Sequence, residues 1–308
     1  MKRFLSIVTP AYNEEPNLRV LYARLASVLN GMDWEWIVVD DHSNDQTLRA
    51  VAEIARSDRR VQGIRLARNS GSHTAIACGL GHARGQAAIV MAADLQDPPE
   101  LLPRLIDEWN VGAQVVWAAR GCAGPTSRLY YLLMRRLAGI QQMPPAGADF
   151  FLLDRAVIDG LRQFHEQHTS VLALIHWMGF RQATVTFEKG PRLHGRSGWT
   201  LAKKTALLID SITAFTFAPI RFMTYTGFAI AIAGLLYAGF VIVHSITGRP
   251  VQGWASLMVA VLVLGGFQML MMGVLGEYAW RSLNESRRRP RYLIEDAVNT
   301  TSELHTHR

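Results

Sequence analysis

Two stretches of this chain carry no Asp, Glu, Lys or Arg: Phe222 to Val243 and Val251 to Gly276. A helix of about 20 apolar residues crosses the hydrocarbon core of a bilayer, so each stretch is long enough to be a span. The alternative is a pair of buried core helices, but those seldom run so far without a charge. Gly227, Gly234, Gly239, Gly265, Gly266 and Gly273 suit close helix packing in lipid. The connection "HSITGRPVQG" is short, and basic residues lie on the outer flanks: Lys203, Lys204 and Arg221 before, "RSLNESRRRPR" after. The positive-inside rule then places both flanks in the cytoplasm.

These windows divide the 308 residues into a cytoplasmic domain at 1–215, spans at 222–243 and 251–276, and a basic cytoplasmic tail at 277–308. The opening "MKRFLSIVTPAYNEE" has too short an apolar run for a signal peptide. With two spans, the net charge of +7 points to an anionic lipid surface and not to nucleic acid. Cys78 and Cys122 fall in the cytoplasmic part and are expected as free thiols.

The first half alternates apolar runs with helical patterns. "RFLSIVTPA", "WEWIVVDD", "VQGIRLA", "QAAIVMAAD" and "AQVVWAAR" read as strands. "EEPNLRVLYARLASVLNG", "SNDQTLRAVAEIARSD", "GSHTAIACGLGHARG" and "PPELLPRLIDEWNVG" read as helices. This order predicts an α/β fold, a mostly parallel sheet with helices on both faces. Ligands bind such sheets at the carboxyl ends of the strands. Polar residues gather there: Pro10 to Glu14, Asp40 to Asp45, Arg68 to Ser72, Asp94 to Asp97, and Arg120.

The loop with Tyr12 and Glu14 can cover a nucleobase, and Asp41 can accept its N–H groups. Asp40 and Asp45 can support the turn or cap the next helix. Alone, each segment reads as a capped strand-to-helix turn; about 30 residues apart and in this order, they are more specific. His73 and His194 read as hydrogen-bonding loop residues, since no His/Cys cluster surrounds them. "TSRLYYLLMRRLAG" reads either as an interfacial helix or as a helix packed on the domain.

"SIVTPAYNEE", "VVDDHSNDQT", "RNSGSHTAIACGL" and "ADLQDPPEL" resemble the inverting family 2 glycosyltransferases, which have the nucleotide-sugar-binding GT-A fold. "DFFLLDR", "RLHGRSGW", "FAPIR", the two spans and "GEYAWRSLNESRRRPRYLIE" resemble the polyprenyl-phosphate branch of that family. The resemblance covers about residues 4–295. It implies that Pro10, Ala11, Tyr12, Glu14 and Asp41 hold the nucleotide, and that Asp94 and Gln96 hold Mg²⁺ or Mn²⁺. It further implies phosphate contacts by Arg120, Arg128, Arg192 and Ser197, a catalytic role for Asp149 beside Asp94, a homo-oligomer, and a place in the bacterial inner membrane.

Two positions depart from the pattern. Ala92 stands where the family has the first carboxylate of Asp-x-Asp, and Gly198 stands where the branch often has Lys. One carboxylate, one amide oxygen and a substrate diphosphate can still hold a hard cation. Asp97 or water can fill the gap. The acceptor, a lipid monophosphate with a second pKa near about 6, is already a nucleophile at neutral pH and needs no strong base. The expected activity is transfer of a sugar from a nucleotide donor, a UDP-sugar foremost, to polyprenyl phosphate. The alternative is a nucleotide-sugar-binding scaffold that has lost turnover through Ala92. The absence of Gln-x-x-Arg-Trp argues against a processive synthase.

Overall fold

The computed structural model describes residues 4–120, 149–164, 170–188, 218–247, 253–287 and 289–300. It divides into two units: residues 1–211 with 290–308, and residues 212–289.

The first unit is built on one sheet. Its strands are β1 (Phe4–Ala11), β2 (Asp33–Asp40), β3 (Val61–Leu66), β4 (Ala87–Val90), β5 (Val115–Arg120), β6 (Phe150–Asp154), β7 (Gln182–Phe187) and β8 (Ile294–Val298). Their order is β7-β5-β6-β4-β1-β2-β3-β8. The block β4-β1-β2-β3 is parallel throughout. β6 runs antiparallel to both β4 and β5, and β8 runs antiparallel to β3. All five expected strands are present and point the same way, so the expected parallel core is found, inside a mixed sheet.

Alternation along each strand feeds two cores. Ile7, Val38 and Ile89 face α1 (Glu15–Val28), α2 (Thr47–Ser57) and α4 (Leu102–Asn110). Val8, Ile37, Val39, Ala88 and Val90 face α3 (Ser72–His82), α5 (Arg155–Leu161) and α6 (Val171–Trp177). Leu18, Leu21 and Leu25 of α1 recur at helical spacing and are fully buried, each contributing about 1.5–3 kcal/mol. α3 lies close against the sheet at Gly79, where a Cβ would stand 2.3 Å from Val8 Cγ1. α4 opens with a 3₁₀ turn, Pro99–Leu101, set by the paired prolines.

A buried polar centre ties the amino ends of the strands together. Glu35 (1% exposed) accepts Ser6 Oγ at 2.7 Å, Gln62 Nε2 at 2.8 Å, the Arg84 amide at 2.8 Å and the Arg84 guanidinium at 2.7 Å. A buried carboxylate is tolerated because its lone pairs are filled.

Within the expected basic tail at 277–308, Ile294–Val298 is a strand that completes the β3 edge of the sheet. "QAAIVMAAD" is strand only through Val90, after which the chain turns into the candidate site.

The second unit contains two long helices, α7 (Ala218–Ile246) and α8 (Trp254–Ser286). Ile220–His244 has a mean hydropathy of 2.2 and is the one candidate span among the described residues. The expected second span falls within α8 from Trp254 onward. Large apolar side chains on both helices, including Leu235, Tyr237, Leu257 and Met269, are exposed.

Candidate active site

The site forms where β1, β2 and β4 end. Three non-glycine residues there take left-handed backbone angles: Asn13 (φ 57°), His42 (φ 59°) and Leu95 (φ 60°). Such angles are uncommon outside glycine, though less so for Asn and His, and they turn the chain sharply at each of these strand ends.

The β1–α1 and β2–α2 loops are laced together. The Asp41 amide donates to the Ala11 carbonyl at 2.9 Å. The Asn13 amide donates to Ser43 Oγ at 2.9 Å, and the Asn44 amide returns to Asn13 Oδ1 at 2.8 Å. The Glu14 amide donates to Thr47 Oγ1 at 3.0 Å, and Asn44 Nδ2 reaches the Tyr12 hydroxyl at 3.4 Å. Tyr12 stays 44% exposed, its ring open to solvent beside this scaffold. Thus Pro10, Ala11, Tyr12, Glu14 and Asp41, expected together from sequence, lie at the same end of β1 and β2, with Ala11 and Asp41 buried.

Asp41 joins this surface to α3. Its two carboxylate oxygens accept the Ser70 amide at 2.7 Å and the Gly71 amide at 2.8 Å. Burial pushes its pKa above the ordinary value, and the two amides oppose that shift. Each oxygen keeps a second lone pair for a ligand. Gly71 caps α3 with φ 87°, an angle that glycine adopts without steric cost.

Asp40, fully buried, accepts the Ser43 amide at 2.8 Å and Arg65 Nη1 at 2.8 Å. Asp45 accepts the Thr47 amide at 3.0 Å, the supporting role expected for it. Arg65 also donates through Nη2 to the Ser43 carbonyl at 3.1 Å and through Nε to Glu295 at 2.9 Å. His42 Nδ1 lies 3.1 Å from the Leu66 carbonyl and 3.3 Å from Glu295 Oε2. Sequence reasoning missed Arg65 and Glu295, and took in Asn13 and Ser43 only as members of the polar stretches Pro10 to Glu14 and Asp40 to Asp45. Arg65 was legible in one respect, as a cation inside the apolar run "VQGIRLA".

At the end of β4, Asp94 (5% exposed) and Asp97 (2% exposed) are buried around the left-handed Leu95, and Asp94 Oδ1 accepts the Gln96 amide at 3.2 Å. Asp149 stands just before β6, whose Phe151 pairs with Val90 at the end of β4. His73 sits in the first turn of α3 and not in a loop, and its Nδ1 finds no hydrogen-bond partner among the described residues. Burial lowers its pKa, the Asp149 charge pulls it back up, and the Arg291 charge adds to the lowering.

The donors at the β4 end are oxygens, the type that hard divalent cations take. Among the described residues, no group of three or more His, Cys, Asp or Glu could cage a metal by itself. A hard cation held at this end would need further oxygen ligands beyond those of Asp94 and Gln96. Arg120 ends β5 opposite Phe187. Arg128, Arg192 and Ser197, like Cys122, His194, Gly198 and "TSRLYYLLMRRLAG", lie outside the described residues.

The family model "Glycosyl transferase family 2" matches residues 6–198, and "GtrB C-terminal hairpin" matches residues 218–279. An uncharacterized glycosyltransferase of Synechocystis sp. is 40% identical over 302 residues, covering 95% of each chain. The bactoprenol glucosyl transferase of Shigella phage SfV is 33% identical over 302 residues, covering 95% of this chain and 98% of its own. Glucosyl-3-phosphoglycerate synthase from Mycobacterium tuberculosis, solved with Mn²⁺, UDP and phosphoglyceric acid, superposes with a TM-score of 0.51 at 18% identity, covering 68% of this chain and 76% of that one. That likeness supports the GT-A-like fold. The chain belongs to glycosyl transferase family 2, in the polyprenyl-phosphate branch that includes the bactoprenol glucosyl transferases, and it is a glycosyltransferase.

Proposed function

We propose that the protein transfers glucose from UDP-glucose to a polyprenyl phosphate, with inversion at the anomeric carbon, at the cytoplasmic face of a bacterial inner membrane. The observation that carries this is the laced rim at the ends of β1 and β2, with Tyr12 and Asp41 at the same end of the parallel sheet as buried Asp94, which follows β4. The names of the relatives supply the sugar and the acceptor, and the solved neighbour supplies the uridine nucleotide.

Tyr12 covers the base, Asp41 takes its N–H groups, and Pro10, Ala11 and Glu14 line the nucleotide. Asp94 and Gln96 are the residues that would hold Mg²⁺ or Mn²⁺; the ion, when bound, supplies positive charge against the diphosphate. A phosphate oxygen of the lipid attacks the anomeric carbon as the bond to the UDP oxygen breaks. UDP leaves with that electron pair, and the dianionic acceptor has no proton to lose. Arg120, Arg128, Arg192 and Ser197 bring the phosphates together, and Asp149 orients the sugar or the incoming phosphate. α7 and α8 hold the enzyme in the bilayer as a hairpin, beside the phosphate of a long-chain lipid. A homo-oligomer is expected, and the basic surface faces anionic lipid and not nucleic acid.

The test is sugar transfer by the purified full-length protein in detergent, with undecaprenyl phosphate, a panel of radiolabelled nucleotide sugars, and Mg²⁺, Mn²⁺ or EDTA. Metal-dependent formation of an undecaprenyl-phosphate glucoside from UDP-glucose is expected. Transfer from another donor would overturn the assigned sugar. Binding of UDP without any transfer would overturn turnover itself and favour a scaffold disabled at Ala92.

A further inference from the structure

We propose that Glu295, on the strand that follows the helical hairpin in sequence, is a positioning residue for the nucleotide-sugar donor. The inference rests on the assignment of the β2–α2 turn to the donor.

Glu295 touches that turn only through intermediaries. Its carboxylate receives Arg65 Nε at 2.9 Å and lies 3.3 Å from His42 Nδ1. The same guanidinium reaches Asp40 and the Ser43 carbonyl, so its nitrogens join β8 to both ends of the turn. His42 occupies a left-handed angle in the middle of that turn. That angle is uncommon for a residue with a β-carbon, and the ring is braced there by its contacts with the Leu66 carbonyl and Glu295. Asp41, the donor-facing carboxylate, immediately precedes His42. One carboxylate from the far end of the sequence thus fixes both the side chain and the backbone of the turn that orients Asp41.

The strand that carries Glu295 is itself anchored. The Ala67 amide donates to the Leu293 carbonyl at 2.9 Å, and Asn299 Nδ2 donates to the Arg59 and Val61 carbonyls, both at 2.9 Å. Removing the Glu295 side chain therefore leaves β8 paired, and the change is confined to Arg65 and His42. The Glu295 side chain is 48% exposed, and exposed ion pairs contribute little to global stability. A purely structural role would leave the donor KM unmoved, whereas a positioning role moves it without moving the melting temperature.

The experiment compares wild type with Glu295→Ala and Glu295→Gln in the full chain. It reads donor KM, acceptor KM, kcat, melting temperature, and hydrogen exchange at residues 41–47 and 68–72. For Glu295→Ala we expect donor KM to rise roughly three- to tenfold, as for a lost charge-assisted hydrogen bond. Acceptor KM, kcat and melting temperature stay level, exchange in the 41–47 turn quickens, and Glu295→Gln falls between. Unchanged donor KM with unchanged exchange overturns the inference. Faster exchange in the turn with a KM change confined to the lipid acceptor overturns instead the donor assignment on which it rests.

Discussion

Asp94 Oδ1 receives the Gln96 amide at 3.2 Å, across a left-handed Leu95. This bond folds the end of β4 back on itself and keeps the Asp94 carboxylate at the rim. Asp94→Ala is expected to lower kcat about 10²–10³-fold, the usual effect of removing one group that stabilises a developing charge. Ala92→Asp restores a second carboxylate and is expected to lower the half-saturating Mn²⁺ concentration about tenfold. Metal titrations of sugar transfer read both.

The paired amides of Ser70 and Gly71 make Asp41 the link between the end of β2 and α3. Asp41→Asn offers one acceptor oxygen to two donors, so donor KM is expected to rise about tenfold. Burial raises the folded pKa of Asp41, so its ionisation favours the folded state less than the unfolded one. Its stabilising contribution is greatest below the ordinary carboxylate value and is lost as pH rises through the raised one. Removing the charge at neutral pH relieves that cost, and the net change in stability by urea unfolding is expected within about 1 kcal/mol.

Glu35 lies at the opposite ends of the same strands, away from the site. Glu35→Ala leaves Ser6, Gln62 and Arg84 without their shared acceptor and is expected to destabilise by about 2–4 kcal/mol. Both KM values are expected to stay unchanged in the fraction that folds. Calorimetry with steady-state kinetics separates the two effects.

The Arg60 guanidinium holds Asp58 at a pKa of about 2, helped by the Tyr22 hydroxyl, against the opposing effect of burial. A depressed acid stabilises the fold above its unfolded value and loses that contribution as pH falls through the folded value. The contribution therefore disappears between roughly pH 4 and pH 2, and with Arg60 half-exposed it is about 1–2 kcal/mol. Asp58→Asn is expected to flatten melting temperature against pH in that window.

Cys78 is buried in α3, and desolvation pushes its thiol up to about 12, partly offset by the Tyr292 hydroxyl. The native protein is expected to leave Cys78 unlabelled by iodoacetamide at pH 8, and unfolding should expose it. Mass spectrometry of the Cys78 peptide reads the difference.

The parallel core was legible because β1 to β5 are apolar runs bounded by turn residues, a pattern that survives without tertiary information. The rim was legible because each run ends in acids or small polar residues. β8 was not: "IEDAV" has acids at Glu295 and Asp296 and an exposed face, as an edge strand can. β6 was hidden in a motif, since "DFFLLDR" drew attention to Asp149 and gave no sign that the strand would run against its neighbours. The lacing of Asn13 to Ser43 depends on backbone angles that no side-chain pattern announces. Asp40 and Asp41 were legible as acids that end the apolar run "WEWIVVDD", and Asp94 through the resemblance of "ADLQDPPEL"; that all three are buried is visible only in the fold.

The pairing of β8 with β3 has a consequence for the order in which the molecule is made. Arg65 and Glu295 are separated by 230 positions, with both long helices between them. A nascent chain therefore carries β3 as an open edge until the hairpin has been synthesised, and closing so long a loop is slow. Arg65 meets Asp40 and Ser43 early and Glu295 last. The β2–α2 turn acquires its final brace only when β8 arrives, so a chain stalled within the hairpin would hold that turn unfinished.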